Sequence, residues 1–124
     1  MMYPFDGYHK IHVKIIDFGS ARILKNGTEF KSLKTKTEIF SHESTPPEAL
    51  GDRIVSKYFD IWSFGVSLWK LFRNGDKNPY GDCPDLEYSL KNGKRLARPL
   101  DCPLNVYEII LHCWYTDPIK RFVI

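Results

Sequence analysis

Between Ser56 and Asn74 the chain reads SKYFDIWSFGVSLWKLFRN, and this stretch constrains the fold more than any other. Phe59, Ile61, Trp62, Phe64, Val66, Leu68, Trp69, Leu71 and Phe72 point almost all round a helix. A helix apolar on every side belongs in the middle of a packed unit. Gly75 supplies its C-terminal stop. Asp60 lies inside that apolar surround and needs a partner if it is buried.

The chain has 124 residues, room for one domain. Its 43% hydrophobic and 27% charged residues are a globular composition, not a disordered one. A net charge of +3 without a dense Lys/Arg cluster argues against a dedicated nucleic-acid binder. Lys31, Lys34 and Lys36 read as a solvated loop. Cys83, Cys102 and Cys113 show no C-x-x-C spacing and leave an odd one over, which fits a reducing compartment. The four histidines do not fall at zinc-ligand spacing from them. The opening MMYPFDGYHK lacks the apolar core of a signal peptide, and no apolar run is long enough to span a membrane. A soluble, cytoplasmic protein is the expectation.

Ahead of the long helix, IHVKIIDF alternates Ile11, Val13 and Ile15 with polar residues and then turns fully apolar. It reads as a strand burying one face and then both. Turn chemistry in DGYHK makes it one arm of a short hairpin over residues 5 to 16. Residues 19 to 45 keep no sustained period and read as a long loop, a length that is uncommon in compact domains unless functional or disordered. TPPEAL offers a short helical start. After Gly75, GDCPDLEYSLKNG reads as a short helix capped by Gly93, and RPLDCP as an extended connector. LNVYEIILHCWY places Val106, Ile109, Ile110 and Cys113 on one helical face, and Asp117-Pro118 stops it. The fold class is mainly α with a short N-terminal β-hairpin.

An Asp-Phe-Gly (Asp17, Phe18, Gly19) after an apolar strand, Pro-Pro-Glu ending at Glu48, DIWSFGVSLWKLF and a late Arg121 stand in one order. Together they resemble the C-terminal lobe of a protein kinase. The 31 positions from Asp17 to Glu48 are similar to the family's activation segment. WSFGVSLWKLF, GKRLARPLDCPLNVYEIILHCW and the final DP…R look like tyrosine kinases, and the RL-RP-DCP--Y run looks like the ACK-type non-receptor group. The resemblance implies one partial kinase domain over 1–124. Its strand and Asp-Phe-Gly fall at 5–19, its activation segment at 17–50 and its helical part at 56–124.

Such kinases move the γ-phosphoryl of ATP to a protein tyrosine, mainly by positioning and by neutralising phosphate charge. The resemblance implies that Asp17 ligates Mg²⁺, since a hard cation wants oxygen ligands. Phe18 would pack into the core and set where Asp17 points, and Gly19 would let the motif turn. Asp17, Phe18 and Gly19 would together face the cofactor. Glu48 and Arg121 would pair to tie down the activation segment, and Asp60 would accept backbone hydrogen bonds from the catalytic loop. The implied partner is a protein substrate or regulator, with no nucleic acid and no membrane span.

Most of that machinery is absent from this sequence. The Gly-rich loop, strand lysine, helix glutamate and H-R-D-x-x-x-x-N loop all precede Asp-Phe-Gly in the family, and only 16 residues precede Asp17. By the family's spacing the catalytic Asp is expected about one residue before Met1. Asp6 matches a turn between strands, and His12 a partly exposed strand position. The metal-binding asparagine is missing too. No tyrosine lies between Gly19 and Glu48, so Thr28, Ser32, Thr35 and Thr37 are the candidate phosphate acceptors in the loop. EIFSHEST also lacks the pattern with which tyrosine kinases seat a substrate tyrosine. Alone, the chain is expected to bind ATP weakly and to catalyse nothing. The alternative is a non-catalytic, pseudokinase-like interaction module or a truncated gene product. Without the family's earlier helices, Trp62, Phe64 or Trp69 is expected to lie open to solvent, leaving the chain poorly stable.

Overall fold

The computed structural model describes residues 12–25, 30–32, 41–76 and 78–122. It is a mainly helical arrangement with one small antiparallel ladder. In chain order the elements are β1 (Phe30–Ser32), α1 (Pro47–Leu50), β2 (Ile54–Ser56), α2 (Lys57–Leu71), α3 (Leu86–Lys91) and α4 (Leu104–Cys113). Two single 3-10 turns, His42–Ser44 and Pro118–Lys120, precede α1 and follow α4.

The helix α2 begins where Ser56, still extended, turns its hydroxyl back to accept the Tyr58 N–H at 3.1 Å. That satisfies one of the four N–H groups a helix start leaves open. It ends over Asn74 and Gly75, both at positive φ, with the Gly75 N–H donating to the Lys70 carbonyl at 3.0 Å. Gly75 takes that conformation without a Cβ penalty.

Tyr58, Ile61, Trp62, Gly65, Val66 and Trp69 are the buried residues of α2 and recur every three or four positions. The core they form also takes in Leu90, Leu96, Cys102, Ile110, Cys113 and Trp114. Gly65 sets the approach of α4. A Cβ there would lie 2.7 Å from both the Cys113 Cβ and the Trp114 Nε1, so only a glycine lets the two helices close to this distance. Trp62 and Trp114 meet across the seam with ring centroids 6.2 Å apart.

The opposite face of α2 is uncovered. Asp60, Phe64, Ser67 and Leu71 are exposed, Phe64 at 47% and Leu71 at 74%. The all-round apolar pattern is therefore used on one side only. Trp62 and Trp69, expected among the exposed aromatics, are buried, and Trp69 donates its indole N–H to the Ala97 carbonyl at 2.8 Å. On α4, Ile110 and Cys113 face the core, while Ile109 is exposed in spite of its apolar character.

The N-terminal expectation needs correcting more sharply. Residues 12–18 form no strand, and Ile15 and Ile16 are 83% and 80% exposed. The rest of the expected hairpin, residues 5–11, lies outside the described residues. Instead, a ladder arises inside the segment read as irregular: Phe30 pairs with Ser56, Lys31 with Val55 and Ser32 with Ile54. The β-branched Ile54 and Val55 favour that extended form, and the Phe30 ring lies 6.2 Å from Tyr58. Among the described residues no helix is long and apolar enough to cross a membrane.

Candidate functional site

Arg121 ties together three separate parts of the chain through its side chain. Asp117 caps the turn before it, accepting the Ile119 N–H at 3.1 Å, and the chain then delivers Arg121 into the core. Its side chain is fully buried. Nη1 donates to Glu48 Oε1 at 2.7 Å and Nη2 to Glu48 Oε2 at 2.9 Å, across 73 positions of sequence. Nε donates to the Tyr115 carbonyl at 2.9 Å, and Nη1 also reaches the Tyr58 carbonyl at 3.2 Å. The planar guanidinium matches the carboxylate as a fork, which a lysine would not do. Glu48 is set for this by α1, whose Pro46 and Pro47 are fully buried and fix the helix entry.

Sequence reasoning missed the second arginine here. Arg95 donates from Nε to the Trp114 carbonyl (2.9 Å), from Nη1 to the Leu90 carbonyl (2.8 Å) and from Nη2 to Thr116 Oγ1 (2.9 Å). The guanidinium carbons of Arg95 and Arg121 lie 5.0 and 4.9 Å from the Trp62 ring centroid. Burial draws the Arg95 pKa down and the like charge of Arg121 adds to this, while Tyr80 acts the other way. Nearby Tyr80 is pushed up to about 12, chiefly by burial. One signal was available in the sequence: GKRLARP places an arginine two residues after the Gly93 cap, just before the chain re-enters the core at Leu96.

The segment leading into α1 is stitched to α2. The Ser63 hydroxyl donates to the Ser44 carbonyl at 2.8 Å, and Lys70 pairs with Glu43. Through these contacts and Glu48, residues 41–50 ride on the helical core rather than hang from it.

Asp17, Phe18 and Gly19 stand apart from this cluster. Asp17 takes a positive φ of 64°, and its Oδ1 accepts the Gly19 N–H at 3.3 Å. Phe18 is 70% exposed, against the expectation that it packs into a core. Among the described residues no group of three or more His, Cys, Asp or Glu is placed to hold a metal. One exposed carboxylate does not make a Mg²⁺ site, since that ion demands near-octahedral oxygen coordination. The described residues thus do not fit the metal by themselves.

Asp60 is exposed rather than buried, and no hydrogen bond to it is found among the described residues. Loss of water on the apolar flank of α2 raises its pKa above the ordinary carboxylate value. No backbone donor offsets that cost here. The structure therefore brings Glu48 and Arg121 together and leaves Asp17, Phe18, Gly19 and Asp60 outside their contacts.

Residues 8–124 match the family described as protein tyrosine and serine/threonine kinase. The chain is 38% identical over 112 residues to human ephrin type-A receptor 1, covering 87% of this chain and 11% of that protein. It is 36% identical over 115 residues to the human tyrosine-protein kinase Srms, covering 87% of this chain and 22% of that one. To the tyrosine-protein kinase sid-3 of Caenorhabditis elegans it is 36% identical over 112 residues, 88% of this chain and 9% of the other. The chain spans less than a quarter of the length of these relatives. With nearly its whole length matched, the chain belongs to the protein tyrosine and serine/threonine kinase family.

Proposed function

We propose that this chain is the activation-segment and helical part of a protein tyrosine kinase catalytic domain. In this reading the strand and Asp-Phe-Gly occupy 5–19, the activation segment 17–50 and the helical part 56–124. The bidentate Glu48–Arg121 pair carries it, because it clamps the end of the 17–50 segment onto the helices, as a substrate-side platform requires. The tyrosine-kinase names of the relatives support the tyrosine over the serine/threonine branch. Within that branch, Arg95-Leu96, Arg98-Pro99, Asp101-Cys102-Pro103 and Tyr107 favour the ACK-type non-receptor group.

The family's cofactors are ATP and Mg²⁺, and the metal supplies charge neutralisation on the phosphates when bound. Asp17 is the carboxylate this chain would offer it, with Phe18 and Gly19 shaping the turn. The other ligands and the catalytic base must come from residues outside those described. Alone, the 124-residue chain is inactive. Purified chain incubated with Mg²⁺ and radiolabelled ATP, with a tyrosine-containing peptide as acceptor, is expected to transfer no phosphate above the no-protein control. Clear incorporation would show that the chain carries a complete site.

A second reading, a non-catalytic interaction module, draws on the open flank of α2, where Phe64 and Leu71 lie exposed. An exposed apolar face of this kind favours association.

A further inference from the structure

We propose that Tyr88 is a phosphate-acceptor site for a tyrosine kinase acting on this chain from outside. The other described tyrosines are engaged. Tyr58 is buried and Tyr80 packs against the core. The Tyr107 hydroxyl donates to the Leu96 carbonyl at 2.6 Å, and the Tyr115 ring lies edge-on to His112 at 5.5 Å. Tyr88 alone among them is 66% exposed with no side-chain hydrogen bond or ring contact.

Its setting favours entry into a kinase cleft. The helix α3 has six residues, held at its start by Asp85, whose Oδ1 accepts the Tyr88 N–H at 3.0 Å. Helices that short are marginal on their own, and α3 is held to the core through Leu86 and Leu90 while Tyr88 faces outward. Of the residues of α3 only Leu90 is fully buried.

In the reaction the Tyr88 phenolic oxygen attacks the γ-phosphorus of ATP. The bond from that phosphorus to the β,γ-bridging oxygen breaks, ADP leaves, and the phenol proton passes to the modifying kinase's base. The product adds a charge of about −1.5 to −2 to α3, three positions before Lys91 on the same helix. The Glu87 carboxylate now holds Lys91 one turn on and covers Gly51 at the end of α1, leaving no room there for a Cβ. The phosphate repels that carboxylate and draws Lys91 from it, so the modification acts on the seam between α1 and α3. None of this requires the chain itself to transfer phosphate.

The test uses the full 124-residue chain, the catalytic domain of human Srms, Mg²⁺ and ATP, with the phosphate mapped by mass spectrometry at early times. Labelling of Tyr88 severalfold faster than of Tyr58, Tyr80, Tyr107 and Tyr115, and its loss in Tyr88→Phe, is the expected result. Labelling spread evenly over these tyrosines, as an unfolded chain would give, overturns the proposal. So does label on Tyr115 in preference to Tyr88, or an absence of label at Tyr88.

Discussion

Replacing Arg121 with alanine is expected to remove about 3–5 kcal/mol of stability, the loss seen when one partner of a buried ion pair is deleted. The size follows from what is left behind. Glu48 keeps a largely buried carboxylate with its two guanidinium donors gone, and the Tyr115 and Tyr58 carbonyls lose theirs. Each orphaned buried acceptor adds its own desolvation cost. Domains of this size have about 5–15 kcal/mol in total, and this one carries an exposed apolar flank on α2. Arg121→Ala is therefore expected to be largely unfolded under conditions where the parent is folded. Arg121→Lys keeps the charge but not the fork, and it should fall between the two. Urea denaturation followed by tryptophan fluorescence measures this. A loss below about 1 kcal/mol, the level of a solvent-exposed pair, would show that the pair does not anchor the segment.

The second large effect is expected at Trp62. Its ring is fully buried, packs against Trp114 and lies beside both arginines. Trp62→Ala removes a large side chain from a close-packed site and should cost about 3–5 kcal/mol. It also strips the guanidinium groups of Arg95 and Arg121 of their aromatic neighbour, an interaction worth about 0.5–2 kcal/mol each when desolvated. Because these groups share one cluster, Trp62→Ala and Arg121→Ala should not add, and a double-mutant cycle should return a coupling of about 0.5–3 kcal/mol. Trp62→Phe keeps a ring between the arginines and should lose clearly less than the alanine variant. Additive losses would mean that tryptophan and arginine stabilise the fold separately.

How legible this structure was from sequence varied with the kind of signal. The ends of α2 were written locally: Gly75 marked the stop, and the Ser56 cap lies at the first residue of the apolar stretch. Which face of α2 would be buried was not legible, because apolar residues all round the helix mark no side. The side is settled by Gly65, where the missing Cβ admits Cys113 and Trp114 from a segment nearly 50 positions later. Glu48 and Arg121, 73 positions apart, share no local pattern. Only the resemblance suggested pairing them. The apolar run at Ile15 and Ile16 looked buried because strands of that composition usually are. Burial needs a covering surface, and the described residues provide none there. Likewise β1 was invisible in a segment without periodicity, since three residues of ladder are fixed by their partner rather than by their own sequence.

Together these features support the reading proposed above, in which the end of the 17–50 segment is clamped onto the helical part of a kinase domain and the catalytic residues lie outside the described ones. Sequencing the full-length message across the Met1 codon tests that account most directly. It predicts in-frame codons for H-R-D-x-x-x-x-N shortly before residue 1, preceded in turn by a strand lysine and a Gly-rich loop. An in-frame stop codon immediately upstream of Met1 would contradict it, leaving Asp17 without a metal to hold and the open face of α2 as the part of the chain that acts.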